Sequence, residues 1–283
     1  MTPKPDVERP DLMIDYVVSP SRVAEIVLNN PRKLNALDES ALHQFNQVLD
    51  QVEEDISNEK IGAVLLRGEG KGFCAGRDIS GLDPATDDAE GYLSSIVTPL
   101  LRRIDSLAVP TFAVVHGVCL GVGLGLVIAC DIAYVAENAR FGSPFAALGA
   151  TLDSGGHYLF VERLGAHRAL DLIITGDLIT GEEAVRAGLF SRALPAEELV
   201  EFSRSKAEKA AAGAPLAAHA SQLLVREIRD HRRGLWESIA EENTAQGELC
   251  RSADYAEGFA AFQEKRPPRF QGHRQSTQNG ETR

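Results

Sequence analysis

Two glycine-rich loops, each leaving a short apolar run, constrain this chain more than any other feature. The first, Gly70-Lys71-Gly72-Phe73-Cys74-Ala75-Gly76-Arg77-Asp78, follows the run 61–66. The second, His116-Gly117-Val118-Cys119-Leu120-Gly121-Val122-Gly123, follows Thr111–Val115 and opens a helical stretch at 122–129. Glycine lets the chain turn sharply and brings main-chain atoms close to a ligand. A helix that begins in such a loop presents N–H groups without partners, which suits a developing negative oxygen. Neither loop is a nucleotide cradle. Leu126 stands where the dinucleotide fingerprint beginning at Gly121-x-Gly123 needs its third glycine, and no Gly-Lys-Ser/Thr occurs.

The surrounding pattern is that of an α/β core. Ile14–Val18 and Val23–Leu28 read as strands joined by a Ser-Pro-Ser turn. Asp38 is placed to cap a helix in which Leu42, Phe45, Val48, Leu49, Val52 and Ile56 repeat at helical spacing. The runs 61–66, 111–115 and 132–135 predict buried strands, with helices at 92–107 and 122–129 between them. Beyond Pro195 no strand is predicted, and helices are expected at 196–212, 216–232 and 236–249.

Composition excludes several classes of function. Lys and Arg total 29 against 41 Asp and Glu, a formal charge of −12, so nucleic acid is not an expected partner. A phosphorylated ligand would need a local basic patch. The four cysteines form no Cys-x-x-Cys pair and no His cluster has zinc spacing, so no metal is expected. Three of them lie in apolar runs and read as buried, reduced thiols, pointing to a reducing, cytoplasmic compartment. No membrane association is expected: the start lacks an apolar leader core, and the apolar stretch 114–129 is broken by His116 and four glycines.

Further segments accompany the two loops in order: Leu28-Asn29-Asn30-Pro31-Arg32-Lys33-Leu34-Asn35-Ala36-Leu37, Cys130-Asp131-Ile132, Arg140-Phe141-Gly142-Ser143-Pro144, Asp153-Ser154-Gly155-Gly156, Thr175-Gly176 and Ala187-Gly188-Leu189. Together they resemble the crotonase (enoyl-CoA hydratase/isomerase) superfamily over residues 15–270. The resemblance implies an α/β spiral of β-β-α units with a helical C-terminal trimerisation region, assembled as a homotrimer or dimer of trimers. Its implied division is a flexible extension 1–12, a core 13–195, a helical region 196–270 and a flexible tail 271–283. It implies an acyl-CoA thioester as substrate and partner, with no separate cofactor. The backbone N–H groups of Ala75 and Val122 would hold the thioester oxygen. Implied substrate or CoA contacts are Arg32, Lys33, Ala36, Ala75, Gly76, Arg77, Asp78, Gly121, Val122 and Phe145. Arg32, Lys33 and Arg77 would meet the CoA phosphates.

The chain departs from the superfamily's hydratases at both glutamates that handle water: Gly125 and Phe145 stand in their places. One acid remains at a position used by isomerases, Asp153, which a helix cap would also suit. The loop Phe73-Cys74-Ala75-Gly76 and the stretch Arg251-Ser252-Ala253-Asp254-Tyr255-Ala256-Glu257-Gly258 are similar to the 1,2-epoxyphenylacetyl-CoA isomerase subgroup. This implies an isomerase acting on an aromatic-derived or 3-enoyl-CoA, with Phe145, Tyr158 and Phe160 as candidate pocket walls. His157 is a candidate aid to proton transfer, and Lys265 and Arg266 are candidates for a neighbouring subunit's CoA. Two alternatives stand beside it: a hydratase or hydrolase with other acid/base groups, and a non-catalytic acyl-CoA-binding protein.

Overall fold

The structure, a computed structural model, describes residues 13–272. The expected extension 1–12, and the expected tail from 273 on, lie outside the described residues. The strands are β1 (Ile14–Val18), β2 (Val23–Leu28), β3 (Ala63–Gly68), β4 (Thr111–Val115), β5 (Val118–Leu120), β6 (Ile132–Ala136), β7 (Arg140–Gly142), β8 (Ile179–Thr180) and β9 (Arg192–Leu194). The helices are α1 (Glu39–Ser57), α2 (Ala89–Tyr92), α3 (Thr98–Ser106), α4 (Val122–Ile128), α5 (Gly156–Leu164), α6 (Ala166–Thr175), α7 (Gly181–Arg186), α8 (Ala196–Ala211), α9 (Pro215–His231), α10 (Leu235–Leu249) and α11 (Ala253–Glu264).

One sheet runs β1-β2-β3-β4-β6-β9 and a second runs β5-β7-β8. From β2 to β9 the large sheet is parallel, with β1 added antiparallel at its edge. Strands join it in chain order while β5 and β7 step out to the small sheet, so the chain advances as the expected spiral of β-β-α units. β4 is buried at every residue and β3 at all but Arg67, which is why both read as unbroken apolar runs. Asp38 caps α1 by accepting from Ala41 N–H at 2.8 Å, and the helix buries Leu42, Phe45, Leu49 and Val52. α8 packs on β3, β4 and β6, burying Leu199, Ser203, Ala207 and Ala211, so the first helix of the expected C-terminal region is a layer of the core. The helix expected at 92–107 is α2 and α3 joined by a π-helical turn, Leu93–Val97.

Candidate active site

The two glycine-rich loops lie side by side. Cys74 and Cys119 pair as a parallel bridge, Cys74 N–H donating to Val118 O at 3.1 Å and Leu120 N–H to Cys74 O at 3.0 Å. Glycine permits this closeness: a Cβ at Gly117 would stand 2.1 Å from Lys71 O, and one at Gly123 2.6 Å from Cys74 O. A third segment locks the first loop. Leu34 and Asn35 both adopt left-handed backbone, and the buried Asn35 amide donates to the carbonyls of Glu69, Gly72 and Phe73 at 2.9, 2.8 and 3.1 Å. Asn35 was not among the site residues expected from sequence. Its signal was weak, because one side-chain amide beside a glycine loop has no periodicity to mark it.

The local fold decides which amides remain available. Ala75 N–H donates to Leu34 O at 2.9 Å. Its hydrogen is therefore spent inside the protein, and the expectation that Ala75 holds a thioester oxygen is corrected. Gly76, at φ +96, turns the chain, and Leu37 then pairs alongside Arg77. Leu37 N–H donates to Gly76 O at 2.8 Å and Asp78 N–H to Leu37 O at 3.0 Å, which leaves Arg77 N–H on the other side of the bridge with no acceptor among the described residues. Val122 N–H, at the first position of α4, likewise has none. The loops approach closely here too: a Cβ at Gly76 would lie 2.9 Å from Leu120 O. Gly121 holds φ 51 and ψ −122, a conformation open to glycine almost alone.

Side chains around these amides are ordered by ion pairs. The Arg77 guanidinium forks onto Asp87 at 2.7 and 3.0 Å and stacks 4.0 Å above the Tyr92 ring. Its charge is thereby met by Asp87. Lys33 Nζ lies 2.5 Å from Asp78, holding that carboxyl down to about 2 with help from Ser80, while Lys33 remains half exposed. Arg32 is exposed and has no partner among the described residues. Ala36 is half-buried beside the Leu37 bridge, and the half-buried Phe145 ring covers Gly121, where a Cβ would come within 2.5 Å of it.

Asp153 lies in the turn before α5. It does not cap that helix: the cap residue is Gly155, and Asp153 Oδ1 is buried without a hydrogen bond. Burial raises its pKa, and Ser154, Arg77 and His157 partly offset the rise. The neighbouring Tyr92 phenol is also pushed up by burial. Gly125 faces the same turn, and a Cβ there would stand 2.5 Å from Ser154 Cβ and 3.0 Å from Ser154 O. A cavity of about 920 Å³ lies on the far side of this contact, lined by Gly125 and Ser154 together with Leu101, Ile128, Asp131 and Arg229, while Asp153, Arg77 and Val122 are not part of its lining.

Other expected participants lie elsewhere or are engaged. Phe160 is wholly buried core, and Tyr158 is largely exposed with its hydroxyl donating to Arg229 O at 3.2 Å. His116 Nε2 bonds Gly70 O at 2.9 Å and so braces the first loop. His157 is exposed, 3.4 Å from Thr151 Oγ1. Arg266 forks onto Glu257 at 2.6 and 2.9 Å, leaving Lys265 exposed at the end of α11. Among the described residues no helix is long and apolar enough to cross a membrane.

A spiral α/β fold with two unpartnered amides at adjoining glycine loops defines a site for a carbonyl oxygen that gains charge. Residues 19–274 match the Enoyl-CoA hydratase/isomerase family, and the chain belongs to it. It is 31% identical over 261 residues to 2,3-dehydroadipyl-CoA hydratase of Escherichia coli (strain K12), covering 92% of this chain and all of that one. It is 32% identical over 270 residues to 1,2-epoxyphenylacetyl-CoA isomerase of the same strain, with the same coverage. The crystal structure of an enoyl-CoA hydratase from Bacillus anthracis superposes with a TM-score of 0.83 at 29% identity, over 92% of this chain and all of that one. A hydratase and an isomerase are thus matched nearly equally.

Proposed function

We propose that the protein is an acyl-CoA isomerase that works through a thioester enolate. The observation that carries the reading is the state of Asp153: a half-buried carboxyl whose Oδ1 is buried without a hydrogen bond and whose pKa burial raises, with Gly125 and Phe145 at the two positions where hydratases of the family carry glutamates. Asp153 removes a proton from the acyl chain, and the electron pair moves onto the thioester oxygen. The N–H groups of Arg77 and Val122 meet that oxygen, and one such donor contributes about 3–4 kcal/mol in comparable sites. As the double bond shifts, the same carboxyl returns the proton to a different carbon, so acyl atoms and charge balance. A carboxyl with a raised pKa can serve in both directions.

Hydration is disfavoured by space as well as chemistry, because Ser154 fills the room a side chain at 125 would need. The acyl group belongs to the 3-enoyl or aromatic-derived, epoxyphenylacetyl-type class, with the half-buried Phe145 ring over Gly121 as apolar wall beside the Val122 amide. Arg32 and Lys33 are the cations assigned to the CoA phosphates. A homotrimer or dimer of trimers in the cytoplasm belongs to the same reading, supported by the exposed Trp236 and Phe262 on the C-terminal helices.

The test is turnover of 3-hexenoyl-CoA to the conjugated 2-enoyl thioester, followed by absorbance, with crotonyl-CoA as the hydration control. Asp153→Asn should abolish isomerisation and keep CoA-ester binding. Rapid loss of the crotonyl-CoA absorbance in the wild type would overturn the reading in favour of a hydratase.

A further inference from the structure

Ser154 departs from what its backbone favours. It holds φ +53, a left-handed conformation that disfavours any residue with a Cβ, and it is followed by Gly155 and Gly156. Its side chain is nevertheless given a place, because the absence of a Cβ at Gly125 makes room for Ser154 Cβ. Its Oγ is buried and has no hydrogen-bond partner of standard geometry. Asp153 Oδ1, on the preceding residue, has none either, and the Ser154 hydroxyl acts on that carboxyl. Two neighbouring buried polar atoms without partners are costly unless they serve each other or a ligand.

A proton carrier alternates between carboxylate and carboxylic acid, and few side chains can accompany both states. A hydroxyl can: it donates to the ionised form, accepts from the protonated form, and needs only to rotate between them. Lysine or arginine could only donate. The other groups acting on Asp153 are Arg77 from the first loop, His157 from α5 and Tyr92 from α2, and none of them hydrogen-bonds it.

We propose that Ser154 is a positioning residue for Asp153, its hydroxyl holding the carboxyl oriented through both halves of the proton transfer. The inference rests on the reading of Asp153 as the proton carrier.

The experiment compares wild type, S154A, S154G and D153N with 3-hexenoyl-CoA across pH. Loss of the hydroxyl should lower kcat about tenfold, the equivalent of one hydrogen bond to a charged group, with KM unchanged within about twofold. The acid limb of the kcat profile should move to higher pH, because a group favouring the ionised carboxyl is gone while burial remains. S154G also relieves the left-handed backbone and should show the same shift without loss of thermal stability. In the free protein, the Asp153 Cγ resonance, assigned by its absence in D153N, should titrate at higher pH in S154A. That readout requires no substrate.

An unshifted Cγ titration in S154A overturns the proposal, as does activity that falls only in step with melting temperature while the acid limb stays put. If D153N itself turns over, the isomerase reading fails. If D153N is inactive and S154A behaves as wild type, the Ser154 inference alone fails.

Discussion

Gly125 and Ser154 are packed so closely that a Cβ at 125 would come within 2.5 Å of Ser154 Cβ, with Leu101 Cδ1 only 3.1 Å away on another side. The turn carrying Asp153 therefore rests on α4 through a contact only glycine allows. Gly125→Ala should cost about 1–3 kcal/mol through overpacking, read as a lower urea midpoint. The pair G125E and F145E should not hydrate crotonyl-CoA, because the carboxylate added at 125 has no room. A double variant that gained hydratase activity would show that the turn yields more easily than this packing implies.

Val122 separates a main-chain role from a side-chain role. Its side chain is wholly buried, while its N–H opens α4 without an acceptor. Val122→Ala should keep kcat within a few-fold. Val122→Pro is compatible with the first helical position but removes the donor, and should lower kcat by about 10²–10³. Circular dichroism would confirm that the proline variant is folded, and equal kinetics in the two variants would dismiss the donor.

Asp153 also makes stability depend on pH in a definite direction. Because burial raises its pKa, the folded protein binds that proton more tightly than the unfolded chain. Its stabilising contribution is complete below the ordinary carboxylate value and is lost as pH rises through the raised one. Asp153→Asn should therefore melt higher than wild type near neutral pH, with the difference closing toward about pH 4. Melting curves across pH would read this, and a variant less stable at every pH would contradict it.

Glu25 has the opposite sign. It accepts from Arg204 and from Arg67, tying β2 to α8 and β3, and those pairings hold its pKa below the usual carboxylate range. Its contribution is present above the ordinary carboxylate value and is lost as pH falls through the lowered one. Glu25→Gln should cost about 1–3 kcal/mol at neutral pH, and the deficit should shrink in acid. A deficit independent of pH would mean that packing, rather than charge, holds this junction.

Thiol chemistry offers a check that needs no substrate. Burial pushes the Cys74 thiol up to about 12 and raises Cys119 and Cys130 as well, whereas Cys250 is exposed. A disulfide reagent at neutral pH should titrate Cys250 rapidly in the native protein, and the other three only after denaturation. Fast reaction of Cys74 would mean that the two loops open readily.

Much of the frame was legible in the sequence because the signals were local. The Asp38 cap, the apolar face of α1, the runs that became β3 and β4, and three C-terminal helices follow from periodicity within a few residues. The strands β5, β7 and β8, two or three residues each, carry too few positions for any period to show. The helices α5, α6 and α7 were not defined from the sequence either, although α5 and α6 run to 9 and 10 residues.

What the chain alone determined about the site was its vocabulary: two glycine loops able to meet, a single acid at 153, and no carboxylate at 125 or 145. Which amide is free was decided only in three dimensions, where Leu34 O, brought round by a left-handed turn, takes the Ala75 hydrogen and leaves that of Arg77. Likewise the charge of Arg77 is met by Asp87, and that of Lys33 by Asp78, 45 residues along the chain. Hydrogen bonds and ion pairs form between atoms within about 3 Å of each other, and it is the folded backbone that sets that distance.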